Sequence, residues 1–166
     1  ELAVAIAMAV EYFRRLEAAK VDAKTAAPRF AFSFAIGSQF FPELAKFRAF
    51  RLLWSRVVSA YGDASLAAQA TVHARTALFN KTVLDPYVNM LRTTTEALSA
   101  VLGGVDSVQV GAFDEVVRTP DEFSQRIARN IAIMLSEEFN FAEVADAAGG
   151  SWLVEKYTDE LARKAW

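Results

Sequence analysis

An α/β fold on a parallel sheet is what this sequence predicts, and three observations predict it. Segments with a 3.6-residue apolar period alternate with short aromatic and β-branched runs, the helical segments carry their own start or stop signals, and no composition shift divides the chain. The 166 residues contain no Ser-, Gly- or Pro-rich linker, so one compact unit is expected. Hydrophobic residues make up 54% and charged residues only 23%, an apolar balance that predicts surface buried against a partner. With 18 Lys and Arg against 20 Asp and Glu there is no basic face, so no nucleic acid partner is expected. The absence of cysteine excludes disulfides and thiolate metal sites, and with one histidine no metal site is expected. The apolar run from Leu2 to Val10 is too short to span a bilayer and lacks a basic flank or cleavage signature. A soluble, cytoplasmic chain is the expectation.

The chain opens directly in a helical pattern, with Leu2, Ile6, Ala9, Phe13 and Leu16 on one side and no capping residue before it. The run from Pro28 to Gly37 is dense in aromatic residues and reads as a buried strand. A helix from Pro42 to Tyr61 follows, stopped by Gly62, with Phe47, Phe50, Trp54, Val57, Val58 and Tyr61 on its stripe and Lys46, Arg48, Arg51 and Arg56 largely off it. Ala70 to Thr76 alternates like a second strand. Asp85 is placed to cap a helix whose first position is Pro86, and Gly103 and Gly104 supply its left-handed stop. In that helix Val88, Leu91, Thr95, Leu98 and Leu102 form the apolar stripe, and Asn89, Arg92 and Glu96 a polar face beside it. Ser107 to Val110 is a third strand candidate. Thr119 and Glu122 form a capping box around Pro120 for a helix with Phe123, Ile127, Ile131, Met134 and Leu135 on its apolar face. A segment near Val144 is a fourth strand candidate, Gly149 and Gly150 a turn, and Ser151 to Trp166 a last helix.

Repeated βα units imply a parallel sheet that is either doubly wound or part of a (β/α)8 barrel. A complete barrel needs eight strands and roughly 250 residues. Four candidates therefore amount to half a barrel, beginning in a helix. Such a half would have unpaired strand edges and an uncovered apolar interior, so the missing half or a second copy in a homo-oligomer is expected.

Several runs go beyond generic pattern. They are APR at Ala27 to Arg29, IGSQFF at Ile36 to Phe41, E-x-A-K-x-R-A-x-R-L-L-W from Glu43 to Trp54, NKTVLDPYVNMLRTTTEA from Asn80 to Ala97, F-D-E at Phe113 to Glu115, R-I-A-R-N at Arg126 to Asn130 and GGS at Gly149 to Ser151. Together they resemble the cobalamin-dependent acyl-CoA mutases, the methylmalonyl-CoA mutase family, along almost the full chain. The resemblance implies the C-terminal half of the acyl-CoA-binding (β/α)8 barrel. It implies a parent that interconverts methylmalonyl-CoA and succinyl-CoA by radical chemistry of adenosylcobalamin. The family's Tyr-His pair and its D-x-H-x-x-G cobalamin motif are not in these residues, so no catalytic residue is assigned and the chain alone is expected to be inactive, without bound cofactor.

For individual residues the resemblance implies the following. Arg29 matches an arginine that meets the phosphate end of CoA, chemistry suited to a permanently charged fork. Ala31 stands where catalytic members commonly carry Ser. His73 matches the histidine of T-H-S-Q-T-S-G-W, expected at the C-terminal end of a strand, and in that motif Arg75 replaces the glutamine and Phe79 the tryptophan. Gln109, Val110 and Gly111 stand in place of H-T-N. Glu115 matches the glutamate that holds the adenosyl sugar. Arg29, His73, Arg75 and Gln109 are thus the expected substrate-binding set and Glu115 the cofactor contact. Changes gathered in the pocket with an intact scaffold resemble the non-catalytic small subunit of a heterodimeric mutase, whose partner is a catalytic large subunit. A catalytic segment with another acyl specificity and a ligand-free scaffold fragment are the alternatives.

Overall fold

The computed structural model describes residues 1–141 and 143–166. Its elements in order are α1 (Leu2–Ala18), the short α2 (Ala23–Ala26), β1 (Ala31–Ile36), α3 (Phe40–Ala60), β2 (Thr71–Thr76), α4 (Asn89–Leu102), β3 (Ser107–Gln109), α5 (Glu122–Ile133) and α6 (Trp152–Ala165). The strands are parallel, and their order in the sheet is their order in the chain, β1-β2-β3. Sequential neighbours joined by helical crossovers are the arrangement of half a (β/α)8 barrel, begun in a helix as expected. Val144, the centre of the fourth strand candidate, lies instead in an exposed bend, so the described residues contain three strands.

The core lies on one side of the sheet. Along β1, Phe32, Phe34 and Ile36 point inward and Ala31, Ser33 and Ala35 outward, the period of two that a pleated strand imposes. α3 packs on the inward set through Phe50, whose ring centroid is 4.6 Å from that of Phe32 and 4.9 Å from that of Phe34. Trp54 carries the contact on to α1 through Phe13, 5.7 Å away and stacked. The stripe expected on α3 is therefore its buried face, as is Leu2, Ile6, Ala9 and Phe13 on α1.

The charged residues of the E-x-A-K-x-R-A-x-R run turn out to be ties between elements. Lys46, expected off the stripe, is buried and reaches the Ala35 carbonyl of β1 and the carboxylates of Glu1 and Glu43. Arg51 donates to Gly104 O at 2.9 Å and to Asp106, and Asp106 accepts from Val72 N at 2.6 Å, which aligns β3 beside β2. Arg48 holds Asp146 through two bonds of 2.8 and 2.9 Å, Glu155 at 2.8 Å and Thr158 at 3.1 Å, fastening α6 to α3. The Arg48 guanidinium, helped by the Gly150 N–H, holds the Glu155 carboxyl below its ordinary 4.5. A carboxyl whose folded value is depressed stabilises fully above its unfolded value and loses that contribution as pH falls through the folded one. Hydrogen exchange is therefore expected to show α6 amides losing protection below about pH 4.5. In Arg48→Ala the loss should already be present at pH 7.

Three helix starts and stops differ in detail. Asp85 makes no capping bond, because Pro86–Val88 forms a 3-10 turn and α4 begins only at Asn89. Gly103 keeps a right-handed conformation and Gly104 alone takes positive φ, +80°. At α5 the cap is Asp121, whose Oδ1 accepts from Ser124 N at 2.9 Å, in place of the Thr119 box. Asp121 lies two residues past Thr119, so the helix begins two residues later than that box places it.

Candidate functional site

The sheet face away from the helices carries the site. It is formed by Ala31, Ser33 and Ala35 of β1, Thr71, His73 and Arg75 of β2, and Ser107 and Gln109 of β3. Register places Ser33, His73 and Ser107 in one row and Ala35, Arg75 and Gln109 in the next. This face is small and polar, which corrects the expectation of an apolar interior. The apolar excess sits elsewhere. Leu84, Phe79, Leu91 and Trp152 are 94%, 83%, 69% and 92% exposed on loops and outer helix faces.

Three of the four expected substrate residues, His73, Arg75 and Gln109, thus come together on adjacent strands. His73 is the third residue of β2, so it lies mid-strand and not at the C-terminal end, with Nδ1 2.8 Å from Ser107 Oγ. Arg29 stands apart. It is exposed in a 3-10 turn (Ala27–Arg29) ahead of β1, where a strand start was expected. There it borders a groove of about 720 Å³ with Tyr12, Arg15, Leu16, Val21 and Phe30. Ala31 is level with Thr71 and Ala35 with Arg75, so about 13 Å of strand separates the Arg29 end from the Arg75 row at ~3.3 Å per residue.

At the C-terminal ends of the strands the site becomes ionic. Arg75 Nη2 donates to Glu115 Oε1, drawing the loop after β3 onto the end of β2. The other oxygen, Oε2, is buried with no hydrogen-bond partner. A Cβ at residue 111 would come within 2.7 Å of it, so the glycine there leaves this carboxylate position its room. Gly111 N also donates to Thr76 Oγ1 at 2.8 Å. Gln109, Glu115, Gln125 and Arg129 line a second groove, about 520 Å³, between β3 and α5.

Sequence reasoning missed the group behind this mouth. Lys81 and Glu96, 3% and 1% exposed, form an ion pair at 2.6 Å, and Asn80 donates to the same carboxylate at 2.6 Å. Asn89 is fully buried and uses its whole amide. It donates to Thr82 O at 2.9 Å and Phe113 O at 2.8 Å, and accepts from Thr82 N and Arg92, each at 3.0 Å. One side chain thereby joins the loops after β2 and β3 to the start of α4. The polar face expected on this helix is its inward face, and the stripe through Leu91 looks outward. The signal was the spacing of Asn89, Arg92, Thr93 and Glu96 on a helix with no other charge.

Among the described residues no cluster of His, Cys, Asp and Glu is arranged to hold a metal ion. A profile described as methylmalonyl-CoA mutase matches residues 1–166. The chain belongs to the methylmalonyl-CoA mutase family. It is 44% identical to a methylmalonyl-CoA mutase small subunit of Porphyromonas gingivalis and 45% identical to one of Streptomyces virginiae, in each case over 100% of this chain and 27% of that protein. It is also 44% identical to a methylmalonyl-CoA mutase of Cereibacter sphaeroides, over 100% of this chain and 24% of that protein. The chain thus spans about a quarter of the length of the relatives it matches. Adenosylcobalamin, on which this family generally depends, does not fit the residues present at the strand ends. The Glu115 carboxylate has one oxygen on Arg75 and the other buried against Gly111.

Proposed function

We propose that this chain forms the C-terminal half of the acyl-CoA-binding barrel of a methylmalonyl-CoA mutase assembly, as part of a non-catalytic small subunit beside a catalytic large one. The parent assembly interconverts methylmalonyl-CoA and succinyl-CoA, and adenosylcobalamin supplies its radical. The observation that carries the reading is the polar, small-residue sheet face, open at the Arg29 end and closed by Arg75 and Glu115 at the other. The columns Ala31, Ser33, Ala35 and Thr71, His73 leave room for a slim polar chain to lie along the strands, with its phosphate end at Arg29. At the far end, where the reacting group would sit, an internal ion pair stands in place of ligand contacts. A wall that keeps the binding face and closes the reactive mouth suits a scaffold subunit. Identity does not separate the alternatives, since 44% is found to a small subunit and to a mutase named without subunit. A catalytic segment with another acyl specificity would use Arg75 and Gln109 to select its substrate. The Arg75–Glu115 closure favours the first reading.

Both edge strands, β1 and β3, offer unpaired backbone to the remaining barrel half, and a second copy could take those edges when it is missing. No helix among the described residues is long and apolar enough to cross a membrane, and a cytoplasmic location suits CoA thioesters. The chain alone, supplied with adenosylcobalamin, is expected to give no conversion of methylmalonyl-CoA, and measurable turnover would overturn the assignment. In the parent assembly, calorimetry should show Arg29→Ala weakening CoA by about 1.5–3 kcal/mol, roughly ten-fold to a hundred-fold. Equal affinity for wild type and Arg29→Ala would remove CoA from this end of the face.

A further inference from the structure

We propose that Arg75 is the residue that keeps vicinal-diol ligands out of the strand-end mouth of this chain, acting as a built-in counter-ion that shuts Glu115 to a pair of hydroxyl donors. The inference rests on the reading of Glu115 as a sugar-binding position. A carboxylate holds a vicinal diol by offering lone pairs to two hydroxyls. Here Oε1 already accepts from Arg75 Nη2, and Oε2 is turned into the protein against Gly111, where no donor reaches it. A diol cannot bridge both oxygens, because only Oε1 is within reach and it already carries the Arg75 bond.

Displacing the guanidinium is unfavourable for two reasons. A neutral hydroxyl would replace a charge-assisted bond, the stronger kind. Arg75, only 32% exposed, would also be left without its counter-charge. A neutral diol brings nothing to balance an unpaired Arg75. Glutamine at position 75 would reverse the situation. Its shorter neutral amide would leave Oε1 free and add a donor and an acceptor facing the same space.

The test uses the full-length polypeptide in its assembly, with adenosine as the probe and calorimetry as the readout. Sites on the partner are common to all variants and cancel in the comparison. Arg75→Gln is expected to bind adenosine at least ten-fold more tightly than wild type. The gain should vanish in Arg75→Gln/Glu115→Gln and with 2′,3′-dideoxyadenosine, which lacks the diol. Arg75→Met keeps the packing of the stem without the charge, and it should show the gain if Arg75→Gln fails to fold. Arg75→Lys should not. Equal adenosine affinity in wild type and both neutral variants, whether measurable or absent, would overturn the proposal. CoA titrated into the same samples separates this from the functional reading. Loss of CoA binding in every sample, with the adenosine gain intact, would reject the CoA assignment and leave the role of Arg75 standing.

Discussion

Glu96→Ala is expected to destabilise the fold by about 3–5 kcal/mol, because it leaves the Lys81 ammonium buried without its partner. Lys81 and Glu96 are 3% and 1% exposed, and Asn80, the one other side chain among the described residues bonded to the pair, cannot neutralise a charge. Burial already holds the Lys81 amine below its ordinary 10.5, and Glu96 opposes that shift. With Glu96 gone the amine falls further. An amine whose folded value lies below its unfolded one binds its proton more tightly in the unfolded chain, so stability of the variant should rise with pH across the window below 10.5. Urea denaturation at pH 7 and pH 9.5 measures both effects. The double variant Lys81→Met/Glu96→Leu should regain most of the loss, since replacing a buried pair by apolar groups of similar volume is often neutral. A loss under 1 kcal/mol in Glu96→Ala would show that water reaches the pair.

Trp54→Ala should cost about as much, ~3–5 kcal/mol, by opening a cavity at the junction of α1, α3 and the sheet. Trp54 is 2% exposed, with its ring 4.9 Å from Phe32 and 5.0 Å from Phe30, besides the stack on Phe13. Against a total of about 5–15 kcal/mol such a loss approaches global unfolding, visible as a lower urea midpoint and weakened near-ultraviolet dichroism. Trp54→Phe should cost less. Its ring fills part of the space, and the substitution removes the indole N–H, which is buried with no acceptor.

What was legible and what was not follows from the physics of each signal. The stripe on α3 was legible because aromatic residues at helical spacing gain most by burial, whichever neighbour covers them. The polar row on α4 was legible as a polar face, but not its burial. Asn89 and Glu96 are buried because Thr82, Phe113, Asn80 and Lys81 arrive from two loops to satisfy them, and no local pattern announces those partners. The same holds for Lys46, whose acceptors lie on β1 and at Glu1. Val144 looked like a strand because β-propensity describes a fit to a neighbouring edge more than a backbone preference, and although it borders a pocket with Ser107 and Val108 of β3 it forms no ladder there.

For the site, the sequence, through its resemblance, marked Arg29, His73, Arg75 and Gln109 as one substrate-binding set and Glu115 as a cofactor contact, without separating Arg29 from the other three. It also determined the family, since the motif runs are strings of residues and need no coordinates to compare. Only the tertiary structure decided that the open sheet face is polar, that His73 sits mid-strand beside Ser107, and that Arg75 spends its charge on Glu115. The reason is that residue type and period are local properties of a chain. Pairing of a cation with a particular carboxylate 40 positions away depends on sheet register and on a glycine at position 111 that lets the carboxylate in.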